Sequence, residues 1–380
     1  MKKRIVAFVV IVFLALAGCE SKSKSQNDLL ERNNVVNIGA ILPLTGDKSA
    51  YGISMKNALE LAFEEINNKK LSGNQQINIV FQDSRGLPKD CITAFHNMLT
   101  TKNIPLIIGP MSSSEMLSIA PIAEREQVVI LSPSASSPAI TDAGDFIFRI
   151  APSDSYEGIM IATFIIERLK LSRVGIIFNN SEYGIGIINK FKDKFTASGG
   201  TVLISESYTE GTSDFRTQLD KIKRTNPEAI YFVGYKELGK IVKQAKELGL
   251  SAKYLSVSLF EDPDVLTTAG QSAENVIFPS ISFDIRSDNQ RAINFVAAYA
   301  KKYGKKPDAF AASAYDAAYI VAEAIREGGN DATKIKNALY TIKNFNGLLG
   351  NFGFDSNGDV ILPLRLKEVK NGEFVNYHTD

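Results

Sequence analysis

Residues 38–52 read IGAILPLTGDKSAYG, and residues 174–184 read VGIIFNNSEYG. Each segment is an apolar run with glycine at its second position, followed by a polar loop and a Tyr-Gly pair that opens a helical pattern. A continuous apolar run of this length is typical of a strand that is buried on both faces of a parallel sheet. The shared pattern of the two segments predicts a duplicated α/β architecture with one copy in each half of the chain.

Short apolar strands alternate with helical patterns on both sides of these segments. In the first half, strands are predicted at 36–42, 77–81, 105–108 and 128–131, and helices at 53–67, 89–100 and 113–126. In the second half, strands are predicted at 173–178, 201–207, 229–233 and 254–257, and helices at 184–195, 214–224 and 238–248. Strands joined by helices in this way form parallel sheets that helices cover on both faces.

The chain after residue 281 is mostly helical, over 288–303, 309–327 and 332–342, and it ends in strand-like pieces at 350–354 and 360–367. A helical block of this length indicates that the chain returns to the first lobe. We therefore predict an α/β fold of two doubly wound, Rossmann-like lobes joined by a multi-strand hinge. Residues 35–152 plus 282–345 form lobe 1, and residues 153–281 plus 346–380 form lobe 2. Ligands of such sheets bind at the carboxyl ends of the strands, which predicts a cleft between the lobes.

The N-terminus predicts export and lipid attachment. A basic start, KKR at 2–4, precedes an apolar run at 5–16 that is too short to span a bilayer and is typical of a secretory signal. Residues 16–19 read LAGC and resemble the lipobox of bacterial lipoproteins, in which the cysteine is lipidated. We expect a lipoprotein signal peptide over 1–18, lipidation of Cys19 and a flexible tether over 19–34 that links the body to the membrane. The alternative is a plain cleavage site that a cysteine happens to follow.

Composition excludes several classes of function. The 380 residues carry a formal net charge of +1. Nucleic-acid binding needs a marked excess of basic residues, so this near-neutral charge argues against it. Two histidines and two cysteines cannot build a Cys/His zinc site, and no complete dinucleotide-binding, Walker or catalytic elbow motif is present. We therefore expect no metal and no cofactor. A secreted enzyme that uses Asp154 and a neighbouring serine is the weakest alternative, because a serine nucleophile needs an activating base and neither His96 nor His378 is placed for that role.

Two serine-rich loops follow predicted strands at the point where a ligand is expected. GPMSSS at 109–114 precedes a helix, and LSPSASSP at 131–138 ends the next strand along the chain. Hydroxyl groups and the free amides at a helix start attract an anion such as a carboxylate. Helix capping explains the first loop equally well, and an ordinary polar loop is the alternative for the second. The two loops are more informative together, because they would face the same point in space.

One carboxylate and two tyrosines join this set. Asp154 precedes a predicted helix, where it is available to a ligand ammonium or to the positive end of its own helix. Tyr51 and Tyr183 each close a strand-end loop at the predicted cleft. A tyrosine combines an apolar face with a hydroxyl, which suits a ligand clamp, and buried packing is the alternative for both rings.

The chain from residue 35 onward resembles the type I periplasmic binding proteins of branched-chain amino acid ABC transporters, and more distantly the ligand-binding ectodomains of metabotropic glutamate receptors. The matching stretches occur in the family's order: IGAILPLTGDKSAYG at 38–52, FQDSRGLPKDC at 81–91, GPMSSS at 109–114, SPSASSPAIT at 132–141, FRIAPSDSYEG at 148–158, YFVGY at 231–235 and AYDAAY at 314–319. The resemblance implies two lobes that close around a small ligand.

The resemblance also implies roles for particular residues. The hydroxyls of Ser113 and Ser136 take the positions that bind a ligand α-carboxylate, helped by backbone amides near Ser112 and Ser134. Asp154 sits where related receptors hold the α-ammonium. Three tyrosines fall on positions of the pocket wall: Tyr51, Tyr183 and Tyr235.

One position departs from the family pattern. Amino-acid binders of this family often carry an acidic residue from the second lobe at the position that we align with Ser258. The ammonium therefore relies on Asp154 alone, or the ligand is not a standard α-amino acid, since the family also includes binders of amides, urea and aromatic acids. We expect a monomeric, lipid-anchored solute-binding protein that delivers an amino-acid-like ligand to an ABC permease. The alternative is a sensor of the same fold that signals to a membrane partner.

Overall fold

A computed structural model of the protein describes residues 34–100, 104–281, 283 and 289–377. The predicted signal peptide at 1–18, the lipidation site Cys19 and nearly all of the predicted tether at 19–34 lie outside the described residues.

The first sheet has five parallel strands, and its order is β2-β1-β3-β4-β5. The strands are β1 (Val35–Leu42), β2 (Gln76–Asp83), β3 (Leu106–Ile108), β4 (Val129–Ser132) and β5 (Ile147–Arg149). The connecting helices are α1 (Ser49–Lys69), α2 (Pro88–Thr100) and α3 (Ser113–Glu126). The predicted strands and helices of this half are present, and the sequence did not predict β5.

The second sheet repeats this order over the next part of the chain. Its parallel strands are β6 (Arg173–Asn179), β7 (Thr201–Tyr208), β8 (Ala229–Val233), β9 (Lys253–Ser256) and β10 (Ile277–Ile281), arranged β7-β6-β8-β9-β10. Its helices are α4 (Asp154–Thr163), α5 (Glu182–Ala197), α6 (Arg216–Arg224), α7 (Leu238–Glu247) and α8 (Pro263–Ala269). The shared order is the one that the duplicated sequence pattern predicts, and it makes both sheets doubly wound.

The Tyr-Gly pairs mark a close approach that is the same in both lobes. A Cβ atom on Gly52 would lie 2.0 Å from the carbonyl oxygen of Pro43, and one on Gly184 would lie 2.0 Å from that of Asn179. Each helix start therefore lies directly against the end of its preceding strand, at a distance that only glycine permits. This contact fixes the preceding tyrosine at the carboxyl end of the sheet.

The last quarter of the chain adds elements to both lobes. Helices α9 (Gln290–Tyr303), α10 (Ala309–Gly328) and α11 (Ala332–Thr341) follow β10, and α10 packs along α1 of the first lobe. A small hairpin, β11 (Phe345–Gly347) and β12 (Gly350–Phe352), comes next. Strands β13 (Leu364–Lys370) and β14 (Glu373–Asn376) then extend the second sheet beside β10 in antiparallel pairing.

A buried ion pair fastens the segment before β13 to the first sheet. Arg149, whose side chain is 0% exposed, donates to Asp359 at 2.6 and 2.7 Å and to the Ser137 carbonyl at 2.7 Å. The backbone amide of Arg149 also donates to the Gly358 carbonyl at 3.0 Å. We propose that the chain crosses to the second lobe only after residue 360, later than the boundary at 345 that the sequence suggests. The lobes are then joined by three connections, after β5, after β10 and before β13.

Candidate functional site

A cleft of about 830 Å³ lies between the two lobes, at the carboxyl ends of their strands. All of the predicted ligand-binding residues line it: Tyr51, Ser112, Ser113, Ser134, Ser136, Asp154, Tyr183, Tyr235 and Ser258. The topology therefore brings together side chains that are up to 207 positions apart in the sequence (from 51 to 258). Their contact with a ligand stays a prediction.

Ser113 connects the two serine-rich loops. It is the first residue of α3, and its Oγ accepts hydrogen bonds from the amides of Ser136 at 3.2 Å and Ser137 at 3.0 Å. A hydroxyl that accepts through its lone pairs keeps its own hydrogen for a further acceptor. Ser113 is therefore both a structural link between the loops and a donor at the cleft wall.

Ser112 and Ser134 line the cleft with their polar groups already engaged. The amide and the hydroxyl of Ser112 both donate to the Glu115 carboxylate, which closes the first turn of α3 as a capping box. The hydroxyl of Ser134 donates to the Met111 carbonyl at 2.7 Å, and its amide lies 3.3 Å from Ser132 Oγ. In this arrangement the amides that the family resemblance assigns to a ligand carboxylate have partners within the protein.

Asp154 is the first residue of α4 and is 4% exposed. Its amide donates to the Ser136 carbonyl at 2.9 Å, so the serine loop and the carboxyl group are held side by side. Burial, and next the charge of Glu157, raise the pKa of Asp154 well above its usual range, against a hydrogen bond from Ser136 and the charge of Arg149. Its Oδ2 is buried and has no hydrogen-bond partner among the described residues. A buried acceptor without a partner is suited to a cationic ligand group.

Glu157 is a cleft residue that the sequence analysis missed. It lies one helical turn beyond Asp154, is 5% exposed, and accepts hydrogen bonds from the amide and the hydroxyl of Ser258, both at 2.8 Å. Burial raises the pKa of Glu157 to about 7, although the bonds from Ser258 act in the opposite direction. Ser258 is not acidic, but an acidic side chain is bonded to it.

Three tyrosines form part of the cleft wall. The rings of Tyr183 and Tyr235 lie 5.2 Å apart between centroids, and the hydroxyls of Tyr51 and Tyr183 are buried without a hydrogen-bond partner among the described residues. Burial is the largest cause that raises the pKa of all three phenols well above the usual value, so they remain neutral donors.

Two reciprocal contacts join the lobes beside the cleft. Lys48 of the first lobe lies over the ring of Tyr235 in the second, at 5.2 Å, and Lys236 of the second lies over the ring of Tyr51 in the first, at 5.1 Å. Lys48 also forms an ion pair with Glu210 at 2.8 Å. Each lobe thus supplies one cation and one ring to the other.

Within 34–100, 104–281, 283 and 289–377, no cluster of three or more His, Cys, Asp or Glu residues is arranged to hold a metal ion. In the same part of the chain, no helix has the length and apolar character needed to cross a membrane.

Two doubly wound lobes around a cleft lined by hydroxyls, rings and buried carboxyls define a protein that encloses a small polar ligand. The sequence profile of the family described as "Periplasmic binding protein" matches residues 35–373. The chain belongs to this family, as a type I periplasmic binding protein of the branched-chain amino acid transporter group. Members of the family are extracytoplasmic solute-binding proteins and not enzymes, so the protein has a solute-binding role.

Known relatives cover almost the whole chain. The leucine-, isoleucine-, valine-, threonine- and alanine-binding protein of Pseudomonas aeruginosa is 28% identical over 352 residues, which are 91% of each chain. A crystal structure of a leucine binding protein from Thermotoga maritima has a TM-score of 0.82 and 32% identity, and covers 90% of this chain and 98% of that one. The structure of a branched-chain amino acid transporter substrate binding protein from Streptococcus pneumoniae contains isoleucine. It has a TM-score of 0.81 and 28% identity, and the match covers 90% of this chain and 97% of that one.

Proposed function

We propose that the protein is the lipid-anchored solute-binding component of an ABC importer. It captures a small amino-acid-like ligand by closure of its two lobes and delivers it to a membrane permease. One observation carries the proposal: the serine loops of Ser113 and Ser136 are hydrogen-bonded to the start of α4 at Asp154, whose Oδ2 is buried without a partner among the described residues. Neutral donors beside a carboxyl group complement the carboxylate and the ammonium of a zwitterion.

The ligand side chain is apolar in this proposal. Apolar residues from both lobes line the same cleft, among them Met111, Leu259, Phe283, Phe310 and Leu349. The names of the relatives from Pseudomonas and Thermotoga include leucine, and the Streptococcus protein was crystallised with isoleucine. We infer that leucine, isoleucine, valine or a related amino acid is the solute.

A thermal-shift screen of the purified protein against the protein amino acids, short amides and plain carboxylic acids tests the ligand class. A ligand at 100 times its Kd should add about 2.7 kcal/mol to the free energy of unfolding. We expect stabilisation by apolar amino acids. Stabilisation by plain acids alone would overturn the role of Asp154 as an ammonium partner.

Lipid attachment and transport need separate measurements. Labelled palmitate should enter the wild-type protein and not the Cys19→Ser variant, which should leave the membrane fraction. Deletion of the gene should abolish uptake of the amino acid that stabilises the protein. Uptake that is unchanged on deletion would favour the sensor over the importer.

A further inference from the structure

Glu157 is held in place at the cleft by the second lobe. Oε1 accepts from the amide of Ser258 and Oε2 from its hydroxyl, each at 2.8 Å, and the side chain is 5% exposed. Two bonds from one residue fix the carboxyl plane and leave the remaining lone pairs for another donor. The residue lines the same cleft as Asp154, one helical turn away on α4.

Three polar atoms near Glu157 are available to a ligand. Asp154 Oδ2 and the hydroxyls of Tyr183 and Tyr231 are buried without a partner among the described residues. Burial, and next the charges of Glu157 and Asp154, raise the pKa of Tyr183 on α5 and of Tyr231 on β8. Burial is also the largest cause that raises the pKa of Tyr235 after β8, and the charge of Asp154 contributes. In the described part of the chain, neither Asp154 nor Glu157 forms an ion pair. Arg149, whose positive charge lowers the pKa of Asp154, forms its ion pair with Asp359 instead.

Two buried carboxyl groups without a counter-ion cannot both be ionised at low cost. Burial holds the pKa of Glu157 at about 7, and the charge of Glu157 contributes to the raised pKa of Asp154. A cationic group that enters the cleft stabilises both carboxylates, an anionic group destabilises them, and an uncharged donor adds a hydrogen bond without supplying the missing counter-charge. The cleft therefore selects for positive charge at this point.

We propose that Glu157, positioned by Ser258, is a second carboxylate for the cationic nitrogen of the ligand, which it shares with Asp154. This inference rests on the proposed function and deepens it, because it makes an ammonium obligatory in the solute. It also couples binding to pH, since a proton must leave Glu157 before the ammonium takes its place.

Isothermal titration calorimetry of the full-length protein tests the proposal. The probes are matched pairs that differ by the ammonium: L-leucine with 4-methylpentanoate, L-alanine with propanoate, and L-glutamate with glutarate. The variant is Glu157→Gln, whose amide can keep both contacts to Ser258 while it removes the charge. The matched control is Glu167→Gln, an exposed position just beyond the same helix. Ser258→Ala tests the positioning role, and melting temperatures confirm that each variant folds.

For whichever amino acids bind, we expect the wild-type protein and Glu167→Gln to prefer them over their deaminated partners. Their affinity should fall about tenfold from pH 8 to pH 6, as a group with the pKa of Glu157 requires. Glu157→Gln should bind roughly ten- to a hundredfold more weakly at pH 8 and show a smaller pH dependence, since Asp154 remains as the other carboxyl group of the pair, and Ser258→Ala should give a smaller loss of affinity.

The experiment distinguishes a failure of the proposed function from a failure of the inference about Glu157. A wild-type protein that binds none of the amino acids would overturn the proposed function together with this inference. If the wild-type protein binds an amino acid and Glu157→Gln binds it equally well with the same pH profile, the inference alone is overturned. Equal affinity for an amino acid and its deaminated partner would also overturn the inference and leave the fold and the solute-binding role in place.

Discussion

Glu157 shows how a single buried carboxyl group links the cleft to the stability of the fold. Among the described residues its carboxyl is bonded to Ser258 alone, in an environment that disfavours its charge. A glutamate in the unfolded chain titrates near 4.3, whereas burial raises the pKa of Glu157 to about 7 in the folded protein. The folded state therefore retains a proton over a pH range in which the unfolded state has lost it.

The sign of this linkage gives a prediction. The contribution of Glu157 to the free energy of unfolding is complete below about pH 4.5 and is lost as the pH rises through about 7. In Glu157→Gln this loss is absent, so the ligand-free variant should gain roughly 3 kcal/mol relative to wild type between pH 4.5 and 7.5. Urea unfolding at the two pH values measures the difference. Parallel pH curves for the two proteins would contradict the assignment.

Ser113 and Ser136, the two serines expected to bind the ligand carboxylate, give a second prediction at the scale of single residues. Ser113→Ala combined with Ser136→Ala should weaken amino-acid binding by roughly 2–5 kcal/mol, because two hydrogen bonds to a carboxylate are removed. Ser118→Ala is the control, since its hydroxyl donates to the Glu115 carbonyl on the same helix. Calorimetric titration with the amino acid found in the thermal-shift screen measures both. Unchanged affinity in the double variant would show that the site assignment is wrong even though the fold is right.

Elements are held together by the ion pair between β5 and the segment that follows β12. Arg149 is fully buried, so removal of its partner leaves an uncompensated charge in the interior. We expect Asp359→Asn to lower the free energy of unfolding by about 3–5 kcal/mol. The control is Asp220→Asn, which breaks an exposed arginine pair of the same 2.6 Å length and should cost less than about 1 kcal/mol. Equal losses in urea unfolding would refute the structural role of the buried pair.

The Tyr-Gly pairs set how each helix meets its strand. In Gly184→Ala the new methyl group meets the Asn179 carbonyl at 2.0 Å, so α5 must shift, and Tyr183 shifts with it. We expect a loss of roughly 1–3 kcal/mol in the free energy of unfolding and weaker ligand binding. Gly249→Ala is the control: its added methyl meets nothing within 4 Å, and only the cost of a positive φ, about 1 kcal/mol, should remain. A Gly184→Ala protein that binds normally would contradict the coupling of this contact to the cleft.

Continuous apolar strands and amphipathic helices were predictable because their patterns are local. Helix α3 was predicted with its observed bounds, Ser113–Glu126. Strand β5, with three residues, carries too little pattern to be recognised, and β13 begins at Leu364 although the apolar pattern starts at Val360, because that valine bridges to Phe354 instead. Sheet order and packing decide such cases.

The candidate cleft was predictable to a similar extent. Residues at strand ends could be placed there by the topology alone. Glu157 could not, because a glutamate in the first turn of a helix normally faces water, and its partner Ser258 is 101 positions away. The hydrogen bond from Ser134 to the Met111 carbonyl is equally tertiary and was not visible in the sequence. The contact of Ser112 with Glu115 is local, and it corresponds to the helix capping that the sequence offered as the alternative for this loop.

At the scale of the whole molecule, the contacts of Lys48 favour the arrangement in which the lobes touch. We expect Lys48→Met, which keeps the apolar stem and removes the charge, to shift the ligand-free protein toward a more open form with a larger radius of gyration. Lys56→Met is the control, because Lys56 lies over the Phe81 ring within one lobe, at 5.4 Å. Small-angle scattering with and without the bound amino acid measures the shift. The same scattering curve for all three proteins would show that Lys48 has no part in closure.

The return of α10 to the first lobe has a consequence for the order in which the molecule can be assembled. This helix begins at Ala309, and most of its residues are buried, largely against α1. During synthesis the second lobe has all five of its parallel strands once residue 281 has emerged, but the first lobe still lacks the helix that seals α1 and the aspartate that neutralises Arg149. The half of the protein that is made first therefore waits for segments that are made near the end of the chain, and its exposed apolar surface must be shielded from aggregation while some 200 further residues are added.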